Sequence, residues 1–204
     1  PEGCSGTMTG GPDKNQIKKQ EMKEEIIIAG FGGQGVLSLG KVLAYSAIMQ
    51  DMEVTWMPSY GPEMRGGTAN VCVILSDKKI GSPIVTKYDT AIILNQQSMD
   101  KFEKTVKPGG LLLYDPSGIT RHPERKDVTV AQINAIDIAA NVGNSKVYNM
   151  AVLGAFLKLR PVVEMENVRK GLAKCIPARY SDLIALNEKA IEEGTDSVLV
   201  IDEK

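Results

Sequence analysis

An apolar run that ends in a glycine-rich segment is the feature that most constrains this fold. Residues 25–30 read EIIIAG, which is typical of a strand buried on both faces. Residues 36–50 then repeat apolar side chains at helical spacing, and Gly40, Ala44 and Ala47 fall on the apolar face. Small residues on that face would let the helix lie close to a sheet. A buried strand, a glycine turn and a closely packed helix together predict an α/β domain.

Further strands and helices are predicted along the rest of the chain. The strands are expected at residues 52–57, 69–75, 89–94, 111–114 and 128–130. A helix near residues 97–106 is predicted to stop at residues 107–110, and later helices at residues 136–141, 147–159, 164–174 and 182–193. This order predicts a mostly parallel, doubly wound sheet with helices on both faces and a helical C-terminal part.

The domain organisation is predicted to be simple. Residues 22–204 are interpreted as one α/β domain. Residues 1–21 are rich in glycine, threonine and lysine and show almost no apolar periodicity. They are interpreted as a flexible extension or one introduced by cloning.

Composition excludes several functional classes. The net charge is −1 and no run of Lys or Arg occurs, so nucleic acid is not an expected partner. The three cysteines, Cys4, Cys72 and Cys175, are far apart, so no metal site or iron–sulfur cluster is expected within the chain. Scarce cysteine fits the cytoplasm, and no apolar run is long enough for a membrane helix. With His122 as the only histidine and no nucleophile motif, no catalytic residue is predicted.

The glycine-rich segment fits the pattern G-x-G-x-x-G between a strand and a helix. Glycine lets a phosphate approach the backbone, and the helix N-terminus supplies free N–H donors. The candidate ligand-binding residues here are Gly30, Gly32, Gly33, Gln34 and Gly35. A nicotinamide enzyme also needs an acidic residue at the end of the second strand, whereas Glu53 stands at its start. A tight turn without a ligand is the alternative interpretation.

A second unusual segment, PSYGPEMRGG, occupies residues 58–67. Two prolines and three glycines specify one loop shape, and the loop is expected at the same sheet edge as the glycine turn. Arg65 could clamp a phosphate or carboxylate bidentately. Ser59, Tyr60 and Gly66 complete the candidate binding residues of this loop. The alternative is that Arg65 pairs with Glu63 or with an acidic residue of a partner chain.

Three polar positions near predicted strand or helix ends have two interpretations each. Residues 95–98 and 115–118 follow strands, where polar side chains either bind ligands or cap the next turn. Asn149 either caps a helix or makes a hydrogen bond to a loop across the sheet edge. The sequence leaves these alternatives open.

Residues 30–36 and 58–67 together resemble the gamma subunit of the 2-oxoacid:ferredoxin oxidoreductases. The resemblance continues through residues 80–83, Asp89, Asn149-Met150 and Leu153-Gly154, and spans nearly everything from Met22 to about Leu186. It implies a complex that decarboxylates a 2-oxoacid on thiamine diphosphate and transfers the acyl group to coenzyme A. Electrons then pass through [4Fe–4S] clusters to ferredoxin.

The resemblance also implies a division of labour between subunits. Thiamine diphosphate, magnesium and the clusters would belong to the alpha and beta subunits or to a ferredoxin-like delta subunit. The gamma subunit would pack on these and shape the coenzyme A side of the site. Phe31, Met64 and Gly67 depart from the pyruvate type, which favours a 2-oxoglutarate synthase or a branched-chain 2-oxoacid enzyme of anaerobic metabolism.

Two other functions stay open at this point. One is a stand-alone Rossmann-like, nucleotide-binding oxidoreductase, which the glycine motif alone would allow. The other is an interaction module that binds no ligand. An isolated subunit with an exposed apolar docking face is also expected to form homodimers or tetramers.

Overall fold

The computed structural model describes residues 21–60 and 68–201. The strands are β1 (Lys23–Phe31), β2 (Glu53–Tyr60), β3 (Thr68–Ser76), β4 (Tyr88–Ile93), β5 (Val106–Tyr114), β6 (Thr129–Gln132) and β7 (Leu199–Ile201). The helices are α1 (Val36–Ile48), α2 (Gln96–Phe102), α3 (Ala135–Val142), α4 (Tyr148–Leu159), α5 (Met165–Cys175) and α6 (Asp182–Ser197). The proposed extension falls almost wholly outside the described residues, so that prediction stays untested.

The described strands form a single seven-stranded sheet in the order β2-β3-β1-β4-β5-β6-β7. Strands β1, β4, β5 and β6 are parallel neighbours. Strand β3 lies antiparallel between β1 and β2, and β7 is antiparallel to β6. The α/β class is therefore confirmed, and five of the seven strands run in one direction. The pairings are nevertheless mixed, because the antiparallel β3 and β7 account for half of them.

The two faces of the sheet are covered unequally. Helices α1, α3, α4, α5 and α6 supply the larger apolar cluster, which packs on Ile26 and Ile28 of β1. On the other face α2 packs Met99 and Phe102 against Ile27 of the same strand. Helices thus lie on both faces, as the sequence predicted, but in the described residues one face holds five of the six.

Glycines allow the closest helix contacts. A Cβ added at Gly40 of α1 would lie 2.8 Å from Cγ1 of Val71 on β3, which confirms the predicted close approach of α1 to the sheet. The contact between α4 and α6 depends on a reciprocal pair. A Cβ at Gly154 or Gly194 would lie 2.0 Å from a backbone oxygen of the opposite helix. Any side chain at these two positions would force the helices apart.

Three sequence predictions of local structure need correction. Pro58, Ser59 and Tyr60 continue β2 rather than opening a loop, which is possible because β2 is an edge strand and tolerates proline. Residues 107–110 lie inside β5 rather than stopping a helix, and Gly109 has a positive φ beside a shift in register. The C-terminal part is not purely helical, because the three-residue β7 follows α6.

Candidate functional site

The carboxyl ends of β1 and β2 lie at one rim of the sheet. Gly30 and Tyr60 both pair with Ala69 of β3, from opposite sides. Ser59 is exposed and pairs with the next residue, Asn70. The chain therefore leaves β2 and enters β3 beside the glycine turn, as the sequence predicted. Arg65 and Gly66 lie outside the described residues, and their binding role stays a prediction.

The glycine turn is held by the side chain of Gln34. Its Oε1 accepts a hydrogen bond from the Phe31 amide at 2.6 Å, and its Nε2 donates to the Leu94 carbonyl at 3.0 Å. The second bond ties the turn to the end of β4. Gln34 was predicted to bind a ligand. In the structure, both the oxygen and the nitrogen of its side-chain amide form hydrogen bonds that hold the turn.

Two glycines of the turn have positive φ, 103° at Gly33 and 74° at Gly35. Gly35 is the N-cap of α1, which has no side-chain cap and no acidic residue in its first turn. The first N–H groups of α1 are therefore available to an anion. Gly32 and Gly33 are exposed, so the backbone of the turn can be approached from solvent.

The glycine turn borders a cavity of about 570 Å³. The other walls come from the start of α4 and the turn before it, from the C-terminal end of α5, and from α6. Lys41 and Lys146 line the cavity, and neither forms an ion pair with another described residue. Lys41 lies over the ring of Tyr45, 5.9 Å from its centroid. Two cations without an ion-pair partner among the described residues, beside an uncapped helix N-terminus, suit a negatively charged ligand.

Asn149 connects the two helix starts at this cavity. It is the second residue of α4 and is 7% exposed, and its Nδ2 donates to the Gly35 carbonyl at 3.2 Å. Of the two roles predicted for Asn149, the structure shows the hydrogen bond to a loop across the sheet edge. Because the side chain sits directly against Gly35, that glycine is required by its neighbour as well as by its φ.

Sequence reasoning missed the cationic members of the cavity, Lys41 and Lys146. Lys41 could have been singled out from the sequence, because it is the only charged residue in α1. Lys146 could not, because it lies more than 100 residues from the glycine turn and only the packing of α4 beside α1 brings it near.

The remaining candidates have structural roles or none. Asn95 caps α2 by accepting from the Ser98 amide at 2.8 Å, and Asp115 accepts from the Ser117 amide at 2.8 Å within a turn. His122 is exposed, as expected. Glu53 pairs with Ser76 at the opposite rim, far from the position that a ribose-binding acid needs.

The two described thiols are poor nucleophiles. Burial, and then the charge of Glu25, raises the pKa of Cys72 to about 11. Burial also raises the pKa of Cys175, against the opposing effect of Lys41. A raised thiol pKa means little thiolate at neutral pH, so neither cysteine is activated.

The described residues contain neither a cluster of metal-ligating side chains nor a membrane-spanning helix. In residues 21–60 and 68–201, no three His, Cys, Asp or Glu side chains come together as a possible metal site. None of the helices in those ranges is long and apolar enough to cross a membrane.

Comparisons with known proteins agree on one kind of relative. The family model described as pyruvate ferredoxin/flavodoxin oxidoreductase matches residues 25–197. The ketoisovalerate oxidoreductase subunit VorA of Methanothermobacter marburgensis is 35% identical over 88% of this chain, which spans only 38% of that protein. The 2-oxoglutarate synthase subunit KorC of Methanocaldococcus jannaschii is also 35% identical, over 78% of this chain and 87% of its own length.

A solved structure supports the same grouping. The keto/oxoacid ferredoxin oxidoreductase gamma subunit of Geobacter sulfurreducens superposes with a TM-score of 0.75 at 31% identity. The match covers 86% of this chain and 96% of that one. The likeness therefore extends over most of both chains.

The contact between Gly35 and Asn149 can be tested by a double-mutant cycle. A Cβ at Gly35 would lie 2.6 Å from Asn149 Nδ2, so Gly35→Ala is expected to lower the free energy of unfolding by about 3 kcal/mol. In an Asn149→Ala background the same change should cost about 1 kcal/mol less, because part of the collision is removed. Gly33→Ala is the control, since a Cβ there meets nothing within 4 Å. Equal costs in both backgrounds, measured by denaturant unfolding, would contradict the contact.

Proposed function

Because the chain belongs to the pyruvate ferredoxin/flavodoxin oxidoreductase family, we propose that it acts as the gamma subunit of a thiamine-diphosphate-dependent 2-oxoacid:ferredoxin oxidoreductase. The complex would convert a 2-oxoacid, coenzyme A and oxidised ferredoxin into acyl-CoA, carbon dioxide and reduced ferredoxin. Alpha and beta subunits, with a delta subunit in some arrangements, would hold thiamine diphosphate, magnesium and the clusters. This chain would contribute to subunit contacts and to the coenzyme A side of the site.

The observation that carries the proposal is the cavity at the glycine turn. Coenzyme A brings several phosphate charges, and the cavity wall offers Lys41, Lys146 and the uncapped start of α1. The described residues on either side of the segment with Arg65, Tyr60 and Thr68, lie at the same rim. Anion-binding groups from three parts of the chain would therefore meet one ligand.

Exposed apolar side chains at this rim and along the edge strand β2 support the docking role. Phe31, Trp56 and Met57 are 37%, 38% and 44% exposed. Trp56 and Met57 lie in β2, which is the outer strand at its end of the sheet among the described strands. Large apolar groups at a sheet edge suit burial against another chain.

The substrate proposal is a 2-oxoacid of the 2-oxoglutarate or branched-chain type. Relatives named for 2-oxoglutarate and for ketoisovalerate are equally identical to this chain. The departures from the pyruvate pattern at Phe31 and Met64 favour these two types together. The proposal therefore stays at this pair of substrate classes.

Co-purification tests the subunit assignment directly. A tagged chain expressed with candidate alpha and beta subunits should co-purify with them, and the complex should reduce ferredoxin only when a 2-oxoacid and coenzyme A are both supplied. A chain that purifies alone and is strongly stabilised by NAD or FAD in a thermal-shift assay would instead support the stand-alone oxidoreductase.

Replacement of Arg65 tests the coenzyme A contribution. Arg65→Ala in the assembled complex should raise the KM for coenzyme A about 10- to 100-fold, which is the size expected from losing a charge-assisted contact. Arg65→Lys should raise it less, because the charge remains and only the bidentate geometry is lost. Arg169→Ala, on the exposed side of α5, is the matched control. An unchanged KM in an intact Arg65→Ala complex removes Arg65 from this role.

A further inference from the structure

The lining of the cavity combines two chemistries. One set of groups is cationic or amide-rich and includes Lys41, Lys146 and the glycine turn. The other is apolar and aromatic: Ile136, Ala139, Tyr148, Ile176 and Leu183. A simple inorganic anion would use only the first set. The second set calls for a ligand that also carries a planar or apolar group.

Tyr148 lines the cavity while its hydroxyl oxygen stays buried. The residue as a whole is partly exposed. The part of Tyr148 that lines the cavity therefore does not include the hydroxyl oxygen. Tyr148 is the first residue of α4 and lines the same cavity as the glycine turn, to which the next residue, Asn149, is bonded.

Asp115 lies behind the ring. Its carboxylate is completely buried at the end of β5, and Oδ1 accepts from the amide of Ser117 at 2.8 Å and from its hydroxyl at 2.5 Å. Oδ2 and the Tyr148 hydroxyl have no hydrogen-bond partner of ordinary geometry. Burial, and then the charge of Asp115, raises the pKa of Tyr148, so the hydroxyl stays a donor that faces this carboxylate.

The buried carboxylate of Asp115 and the nearby phenol of Tyr148 complement each other as hydrogen-bond acceptor and donor. Buried polar groups without partners are rare in folded proteins, and each one calls for an explanation. Here the explanation is orientation. The attraction of the hydroxyl to Asp115 fixes one end of the Tyr148 side chain, which also lines the cavity.

We propose that Tyr148 is the base-binding residue that gives this cavity its preference for an adenine nucleotide. The purine ring stacks on the phenol ring, which Asp115 orients, while Lys41 and Lys146 take the phosphates. The inference rests on the proposed function, since coenzyme A contains an adenosine 3′,5′-bisphosphate group. It adds which side chain would receive the base.

The test is calorimetric titration of the full chain with two probes, adenosine 3′,5′-bisphosphate and inorganic pyrophosphate. Tyr148→Leu should weaken binding of the adenosine compound about 10-fold, the size expected for one lost base-stacking contact. Pyrophosphate affinity should stay within about twofold, because no phosphate-binding group changes. Tyr148→Phe keeps the ring but not the contact with Asp115, and should weaken the adenosine compound only about threefold.

Tyr180→Leu is the matched control, because Tyr180 is 48% exposed and does not line the cavity. Unfolding curves check that every variant is folded. Equal losses for both probes in Tyr148→Leu, or no loss for either, would overturn the role of Tyr148. A wild-type chain that binds pyrophosphate but not the adenosine compound would overturn the nucleotide preference. The subunit assignment would stand in each case, because co-purification tests it separately.

Discussion

The antiparallel pairing of β3 between β1 and β2 is the constraint on which the rest of the site depends. Because β3 reverses direction between its two neighbours, β1 and β2 run the same way and both end at one rim. Ala69 is the shared neighbour of Gly30 and Tyr60, so the glycine turn and the segment after β2 are separated by one strand. If a strand parallel to β1 took the place of β3, the chain that leaves β2 could not re-enter the sheet at this rim.

Local patterns in the sequence predicted what local interactions decide. The strand, turn and helix of residues 25–50 were predicted correctly because burial, glycine and helical periodicity all act within a few residues. The extension of β2 through Pro58 came from pairing with β3. Residues 107–110 lie within β5 because Val106 and Leu111 on either side of them pair with β4. Pairing with distant strands thus overrides the turn preference of proline and glycine. The direction of β3 was equally invisible, since a strand pattern does not specify its partner.

The candidate site likewise has one part that the local sequence predicts and another that depends on the packing of distant elements. The glycine turn and its placement before a helix could be predicted, whereas the cavity could not, because distant segments from α3 to α6 supply most of its walls. Gln34 also shows why a motif does not assign a role to each member. Its side chain bonds the Phe31 amide and the Leu94 carbonyl and so holds the turn in shape, while Gln34 also lines the cavity and its binding role stays a prediction. A turn held in this way is pre-organised for binding.

The central claim is that the rim with the glycine turn faces the partner subunits. Hydrogen–deuterium exchange of the free chain and of the assembled complex tests it most directly. The account predicts strong added protection at residues 31–36 and 59–68, and little change at residues 77–87, which lie at the opposite rim between β3 and β4. Protection confined to residues 77–87, with the glycine turn exchanging as in the free chain, would contradict it.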